Sequence, residues 1–269
     1  MIPALREIND VQALYLQFLK ALKQAGFHGD TSPSYASRTV LSTDNSIYQV
    51  LPQAVVYPRD IHDLQLLMEL ADREEFYKVV LSPRGGGTGT NGQSLTDGIV
   101  VDISRHMNRI LEINVEEGWV RVQTGVVKDQ LNAALKPHGL FFAPELSTSN
   151  RATIGGMINT DASGQGSCVY GKTRDHVLEL KTVLMGGALW HSHAIDDEAL
   201  AEVTGADSRA ARVHQLCDAI DREQRALIES RFPKLNRCLT GYDLAHIRDR
   251  EKDGRFNLNN ILCGSEGTL

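Results

Sequence analysis

The chain has 269 residues, a net charge of −6, and 42% hydrophobic against 23% charged residues. That is the balance of a soluble globular protein large enough to bury one or two cores. Its acidity argues against a nucleic-acid partner, which calls for a basic surface, and no apolar run is long enough to span a bilayer. Glu7, Asn9 and Asp10 precede the first apolar positions, so the start lacks a basic-then-apolar export signal. The four cysteines, Cys168, Cys217, Cys238 and Cys263, contain no Cys-x-x-Cys pair. Reduced thiols in the cytoplasm are expected.

In chain order, Asn9 or Asp10 is positioned to cap a helix bearing Val11, Leu14, Tyr15, Phe18, Leu19 and Leu22 at helical spacing, with Gly26 ending it. Residues 54–57 form a buried strand. Pro58-Arg59-Asp60 opens a second helix with Ile61, Leu64, Leu67, Met68 and Ala71 on its apolar face. Residues 78–81 are expected as a strand running into a glycine loop, and 99–102 as another. Residues 110–115 and 119–123 make two strands joined at Glu116-Glu117-Gly118. A short helix covers 128–135, and from Pro144 to Gly171 the chain turns small and polar with little periodicity. A strand at 177–185 follows, then a turn at Gly186-Gly187 and peripheral helices over 196–231. Strands first alternate with helices and then succeed one another, which predicts an α+β fold.

The most informative stretch is 81–95, in which Gly85, Gly86, Gly87, Gly89 and Gly92 fall within eight positions. A core gains nothing from such a run, because each glycine costs entropy and packs no side chain. It suits a loop whose backbone N–H groups converge on an anion, usually phosphate, with Arg84 at its entrance. Two familiar patterns are decoys. Residues 87–92 satisfy G-x-G-x-x-G, but a strand rather than a helix follows, so no dinucleotide-binding helix N-terminus is available and NAD is excluded. Residues 166–173 satisfy the Walker A pattern, but neither the preceding strand nor the following helix is present. Lys172 is then expected as a solvated loop lysine. His138, His176, His191 and His193 are expected on the surface or in the core, since His191 and His193 lack a third ligand and no metal site is predicted.

Several motifs together resemble the FAD-binding domain of the vanillyl-alcohol-oxidase (PCMH-type) flavoproteins. They are Pro58-Arg59, the loop Pro83–Gly89, Thr124-Gly125-Val126, and Thr153-Ile154-Gly155-Gly156 with Thr160, Ala162 and Gly164. Tyr170-Gly171 with Asp175 and Val177, Thr240–Leu244 and Gly264–Leu269 complete the set. Within that family the chain is similar to the D-lactate, glycolate and D-2-hydroxyglutarate dehydrogenases. Residues 42–46 and 144–151 resemble the large bacterial flavin and iron–sulfur fusion enzymes among them. The resemblance implies two α+β subdomains with FAD between them. After a lead-in over 1–50, the FAD-binding domain would cover 51–269, with subdomains of about 51–125 and 126–269 and a helical insertion over 191–260. Arg84, Gly85, Gly86, Gly87, Thr88, Gly89 and Thr90 would hold the pyrophosphate. Pro144, Ser147, Thr148, Ser149, Thr153, Gly155, Gly156, Thr160, Ala162 and Gly164 would line the flavin and ribityl chain, with Gly155 and Gly156 admitting a flat ring. Glu266 and Gly267 would close over the adenine end.

Some positions depart from the family. Thr88 stands where some relatives attach flavin through a histidine, so the FAD is expected to be non-covalent. Asp161 stands where Asn is common and is expected to point away from the phosphates. The chain stops within a motif that usually continues into a strand, so a longer natural parent is expected. That parent would hold the substrate-binding cap, the catalytic residues and any iron–sulfur cluster. What the resemblance implies is the FAD-carrying part of an enzyme oxidising a D-2-hydroxy acid, of the D-2-hydroxyglutarate or D-lactate type, by hydride transfer to flavin N5. Electrons would leave to an iron–sulfur centre or a quinone. The location would be the cytoplasm or the inner face of the membrane. The alternatives are a non-catalytic nucleotide-binding module holding ATP and an inert FAD-binding fragment.

Overall fold

A computed structural model describes residues 11–235, 241–248, 250 and 253–268. The chain divides into two compact units, the first ending at Asn108 but including Met185–Gly187, the second comprising the remainder from Arg109. Among the described residues no helix is long and apolar enough to cross a membrane.

In the first unit, helix α1 (Ala13–Gln24) buries Tyr15, Phe18, Leu19 and Leu22, the stripe that helical spacing predicts. The expected caps Asn9 and Asp10 lie outside the described residues. Three short elements, β1 (Asp30–Ser32), α2 (Tyr35–Val40) and β2 (Ala54–Tyr57), lead to α3 (Ile61–Ala71). The Asp60 carboxylate caps α3 by accepting from the Asp63 N–H. Strands β3 (Leu81–Arg84) and β4 (Ile99–Asp102) complete a sheet of order β1-β2-β4-β3. Strands β2, β4 and β3 are mutually parallel and β1 is antiparallel. Ala54, Val56, Ile99 and Val101 meet Phe18, Leu22, Leu67 and Phe76 in one core. Full burial of each larger side chain stabilises it by about 1.5–3 kcal/mol.

Strand β3 lies three residues downstream of its expected position. The Val79 N–H is still bonded to Phe76 in the preceding turn, so pairing begins only at Leu81. Pro83 is inside the strand, opposite Val101. A proline is tolerated there because β3 is an edge strand, and the missing N–H breaks no ladder on its open side.

The second unit opens with the expected hairpin, β5 (Ile110–Asn114) and β6 (Trp119–Val122). Its inner face packs on Val126, Leu131 and Leu135, the latter two from α4 (Lys128–Leu135), together with Ile154 and Met157. The stretch Pro144–Gly171 is more regular than its composition suggests. It contains α5 (Ile154–Asn159) and the single turn α6 (Ser167–Tyr170). Gly155 and Gly156 disguise α5, since glycine is a poor helix former. The helix is held instead by its Thr153 cap, whose hydroxyl accepts the Gly156 N–H at 3.2 Å, and by packing on Thr124.

Strands β7 (Glu179–Val183) and β8 (Leu189–His193) form a second hairpin. Alternation along β8 turns Trp190 and Ser192 inward. Trp190 joins Leu200, Cys217, Ile247, Phe256 and Leu258 in a further core. Around it lie α7 (Asp197–Thr204), α8 (Arg209–Glu223), α9 (Arg225–Arg231) and the short α10 (Asn259–Leu262). Asp221 of α8 is fully buried and is neutralised by Arg225 at 3.2 Å and Arg250 at 2.9 Å.

Candidate cofactor site

In the first unit the glycine loop starts at the carboxyl end of β3, beside the carboxyl ends of β2 and β4. That edge of a parallel sheet is where ligands bind in open α/β sheets. No helix follows: the chain crosses to β4 through turns alone, as the rejection of a dinucleotide helix requires. Gly87 has φ +61° and Gly92 φ +77°, the left-handed region that glycine enters without strain. Among the described residues, none of the backbone N–H groups of Gly86, Gly87, Thr88, Gly89 or Thr90 donates to a protein group. Five consecutive uncommitted donors, three of them on glycines, fit an anionic diphosphate.

Arg84 does not reach outward. It is 8% exposed, and its Nη2 donates to the Thr43 carbonyl at 2.7 Å, with longer contacts to Leu41 O and Ser94 Oγ. A Cβ on Gly87 would collide with this folded guanidinium, 2.9 Å from Cζ. Burial lowers the guanidinium pKa, and the Asp102 and Asp44 carboxylates oppose that effect. Gly85 and Thr88 are half-buried, while Gly86 and Thr90 are exposed.

The second unit brings three predicted segments together. Gly164 abuts the 144–149 segment so closely that a Cβ would overlap the Glu145 carbonyl, 2.6 Å from its carbon. Pro144 is buried, Ser147 exposed and Thr148 half-buried. The Thr148 carbonyl accepts from Arg151 and Ala152, each at 2.9 Å, and the Ser149 hydroxyl donates to Asp129 of α4 at 3.1 Å. Thr160 bonds back to Gly156 O. The segment around Glu266 and Gly267 is zipped to the end of α5: Gly264 N–H to Ile158 O at 2.9 Å and Glu266 N–H to Asn159 O at 2.7 Å. Ser265 adds a 2.8 Å bond to the Asn159 side chain. Thr153 and Gly155 are buried in α5, one as its cap and the other against Thr124. Their small size serves packing beneath the segment.

Beneath Thr160 and Ala162 lies a buried ion network that the sequence reading missed. Asp161 is a non-glycine residue at φ +44°. Its carboxylate accepts from the Arg174 N–H at 3.0 Å and pairs with Lys172 Nζ at 2.7 Å. Lys172 is 2% exposed and Asp161 4%, so Lys172 is not the solvated loop lysine expected. An unpaired carboxylate there would be strongly disfavoured, and Lys172 neutralises it. Arg174 continues the network to Asp243, which also contacts His246. Burial, reinforced by Asp161, pushes the Cys263 thiol pKa up. The available signals were Asp161 in place of Asn and a Gly-Lys-Thr triplet with no phosphate-binding context. Among the described residues no cluster of three metal-ligating side chains occurs. His191 pairs with Glu179 at 2.9 Å, and His176 bonds the Tyr170 carbonyl at 2.8 Å.

An α+β chain with a bare glycine nest at the end of a parallel sheet, and no helix after it, has the build of a flavin-dinucleotide carrier. The family described as FAD binding domain matches residues 52–192. The chain belongs to that family, and FAD is its cofactor. It is 68% identical over 257 residues to a D-2-hydroxyglutarate dehydrogenase of Pseudomonas putida, a match covering 96% of this chain and 25% of that relative. An Escherichia coli protein of the same name is 58% identical over 270 residues, covering 100% and 26%. The chain thus spans about a quarter of the length of these curated relatives. Among solved structures, an alkyldihydroxyacetonephosphate synthase matches with a TM-score of 0.57 at 26% identity, over 68% of this chain and 40% of that one. The fold is the PCMH-type FAD-binding fold.

Proposed function

We propose that this chain is the FAD-carrying part of a flavin-dependent dehydrogenase acting on a D-2-hydroxy acid of the D-2-hydroxyglutarate or D-lactate type. The observation that carries the reading is the row of uncommitted N–H groups at Gly86–Thr90 in a chain of the FAD-binding family. The names of the relatives supply the substrate class. In this reading Gly85–Thr90 hold the diphosphate through main-chain donors. Pro144–Ser149 and Thr160–Gly164 line the flavin, and Glu266 and Gly267 cover the adenine end. FAD, when bound, supplies the two-electron acceptor; the chain supplies binding, orientation and exclusion of water. No proton-transferring residue is assigned within the chain. Electrons would leave to an iron–sulfur centre or a quinone in the larger assembly, at the cytoplasm or the inner face of the membrane. The ATP-binding alternative would use the same glycine nest but has no P-loop lysine at residues 166–173, because Lys172 is committed to Asp161 inside the protein.

The reading is tested on the protein encoded by the complete reading frame. Purified without air, it should show flavin absorption that D-2-hydroxyglutarate or D-lactate bleaches. Flavin bands that no D-2-hydroxy acid bleaches would refute the substrate class. With Thr88 in place of a histidine, acid precipitation should release all the flavin into the supernatant. Flavin remaining in the pellet would refute the non-covalent attachment.

A further inference from the structure

The segment before β2 has no place in the cofactor site as described so far, yet four contacts bind it to the glycine loop. Arg84 Nη2 donates to Thr43 O at 2.7 Å, and the Asn45 N–H donates to Gly87 O at 3.1 Å. Ser94 Oγ donates to Asp44 Oδ2 at 3.1 Å. A Cβ on Gly92 would touch the Tyr48 ring at 3.0 Å. The segment is itself closed at its base. The Val50 N–H bonds Ser42 O at 2.9 Å, Thr43 bridges Gln49, and Asp44 Oδ1 accepts the Ser46 N–H at 2.8 Å. It is a small preformed loop seated on a glycine-rich one.

We infer that residues 41–48 are a strap that sets the shape of the diphosphate loop before cofactor arrives, with Asp44 and Ser94 as its latch. The inference rests on the proposed position of the diphosphate at Gly85–Thr90. A glycine loop loses more conformational freedom on ordering than any other, and holding five N–H groups without a protein acceptor adds to that cost. Hydrogen bonds from the strap to Gly87 O, and through Arg84 and Ser94, bear much of the ordering before binding. Preorganisation of this kind appears as ligand affinity. Arg84 is then a positioning residue: its buried guanidinium fastens strap to loop and leaves the main chain to meet the ligand.

The test titrates flavin-free protein with FAD, reading flavin fluorescence, and measures amide deuterium exchange across 85–92 without FAD. Loss of one or two such hydrogen bonds should weaken FAD binding about five- to tenfold in Asp44→Ala and Ser94→Ala. Exchange at 85–92 should quicken while β2 and β4 keep wild-type rates. Asp44→Asn, which can still accept from Ser46 and meet the Ser94 hydroxyl, should stay within about twofold of wild type. A general loss of packing would quicken exchange in the strands as well, and would overturn the inference. So would wild-type affinity in both Asp44→Ala and Ser94→Ala. Gly87→Ala separates this failure from that of the underlying reading. If it too binds FAD normally, the diphosphate is not at the loop and both readings fall. If it weakens binding while Asp44→Ala and Ser94→Ala do not, only the strap is wrong.

Discussion

Lys172→Met should destabilise the second unit by about 3–5 kcal/mol, because it leaves the Asp161 carboxylate buried with its principal cation gone. Both side chains are nearly inaccessible, and Nζ lies 2.7 Å from the carboxylate. The remaining nearby cation, Arg174, is 3.9 Å from the same carboxylate and is shared with Asp243. The measurement is denaturant unfolding of flavin-free protein followed by tryptophan fluorescence. Both tryptophans, Trp119 and Trp190, belong to the second unit, so the signal reports that unit alone. The double variant Lys172→Met with Asp161→Asn should recover most of the loss, since it removes the stranded charge and places asparagine at a left-handed position that it tolerates well. A single variant within about 1 kcal/mol of wild type would show that the pair is not what holds this region.

Gly164→Ala should weaken FAD binding by roughly ten- to hundredfold, the scale of about 1–3 kcal/mol for forcing a methyl group into a packed site. The added Cβ would overlap the carbonyl of Glu145. That neighbour is main chain, which cannot swing aside as a side chain could. The segments 144–149 and 160–164 must therefore separate, and both are proposed to line the flavin. Gly166→Ala, two residues on, is the control. Its Cβ would meet only the Tyr170 ring at 3.4 Å and the Glu145 side chain at 3.5 Å, ordinary contacts, and its φ of −77° suits any residue. Its FAD affinity should match wild type. Equal affinity in both variants would mean that the contact of Gly164 with Glu145 does not shape the cofactor site.

The contrast between these two glycines shows which features were legible in the sequence. The glycine loop could be read because its density has no packing rationale, and the absence of a helix after it followed from the Ser94–Gly98 turn residues and the Ile99–Asp102 run. Strands β2 and β4 announced themselves as short continuous apolar stretches. The hairpin at 110–122 was marked by its Glu116-Glu117-Gly118 turn. The misreadings have a common cause, in that long-range contacts overrode local preference. Strand β3 was expected at 78–81 and lies at Leu81–Arg84, with Pro83 accommodated because β3 is at the sheet edge. Gly155 and Gly156 concealed α5, whose stability comes from a cap and from Thr124. Lys172 looked solvent-exposed because its partner Asp161 is eleven positions away in a loop of its own. The strap was noticed only as a run typical of one branch of the family, since nothing local in residues 42–46 announces a bond from Arg84.

The central claim is that main-chain N–H groups at Gly85–Thr90 grip the diphosphate of FAD, and the structure of the FAD complex tests it most directly. The diphosphate oxygens should lie within about 3.2 Å of at least two of those backbone nitrogens, with the Arg84 guanidinium still on Thr43. A diphosphate bound elsewhere in the chain, with the glycine loop making no contact to it, would contradict the account.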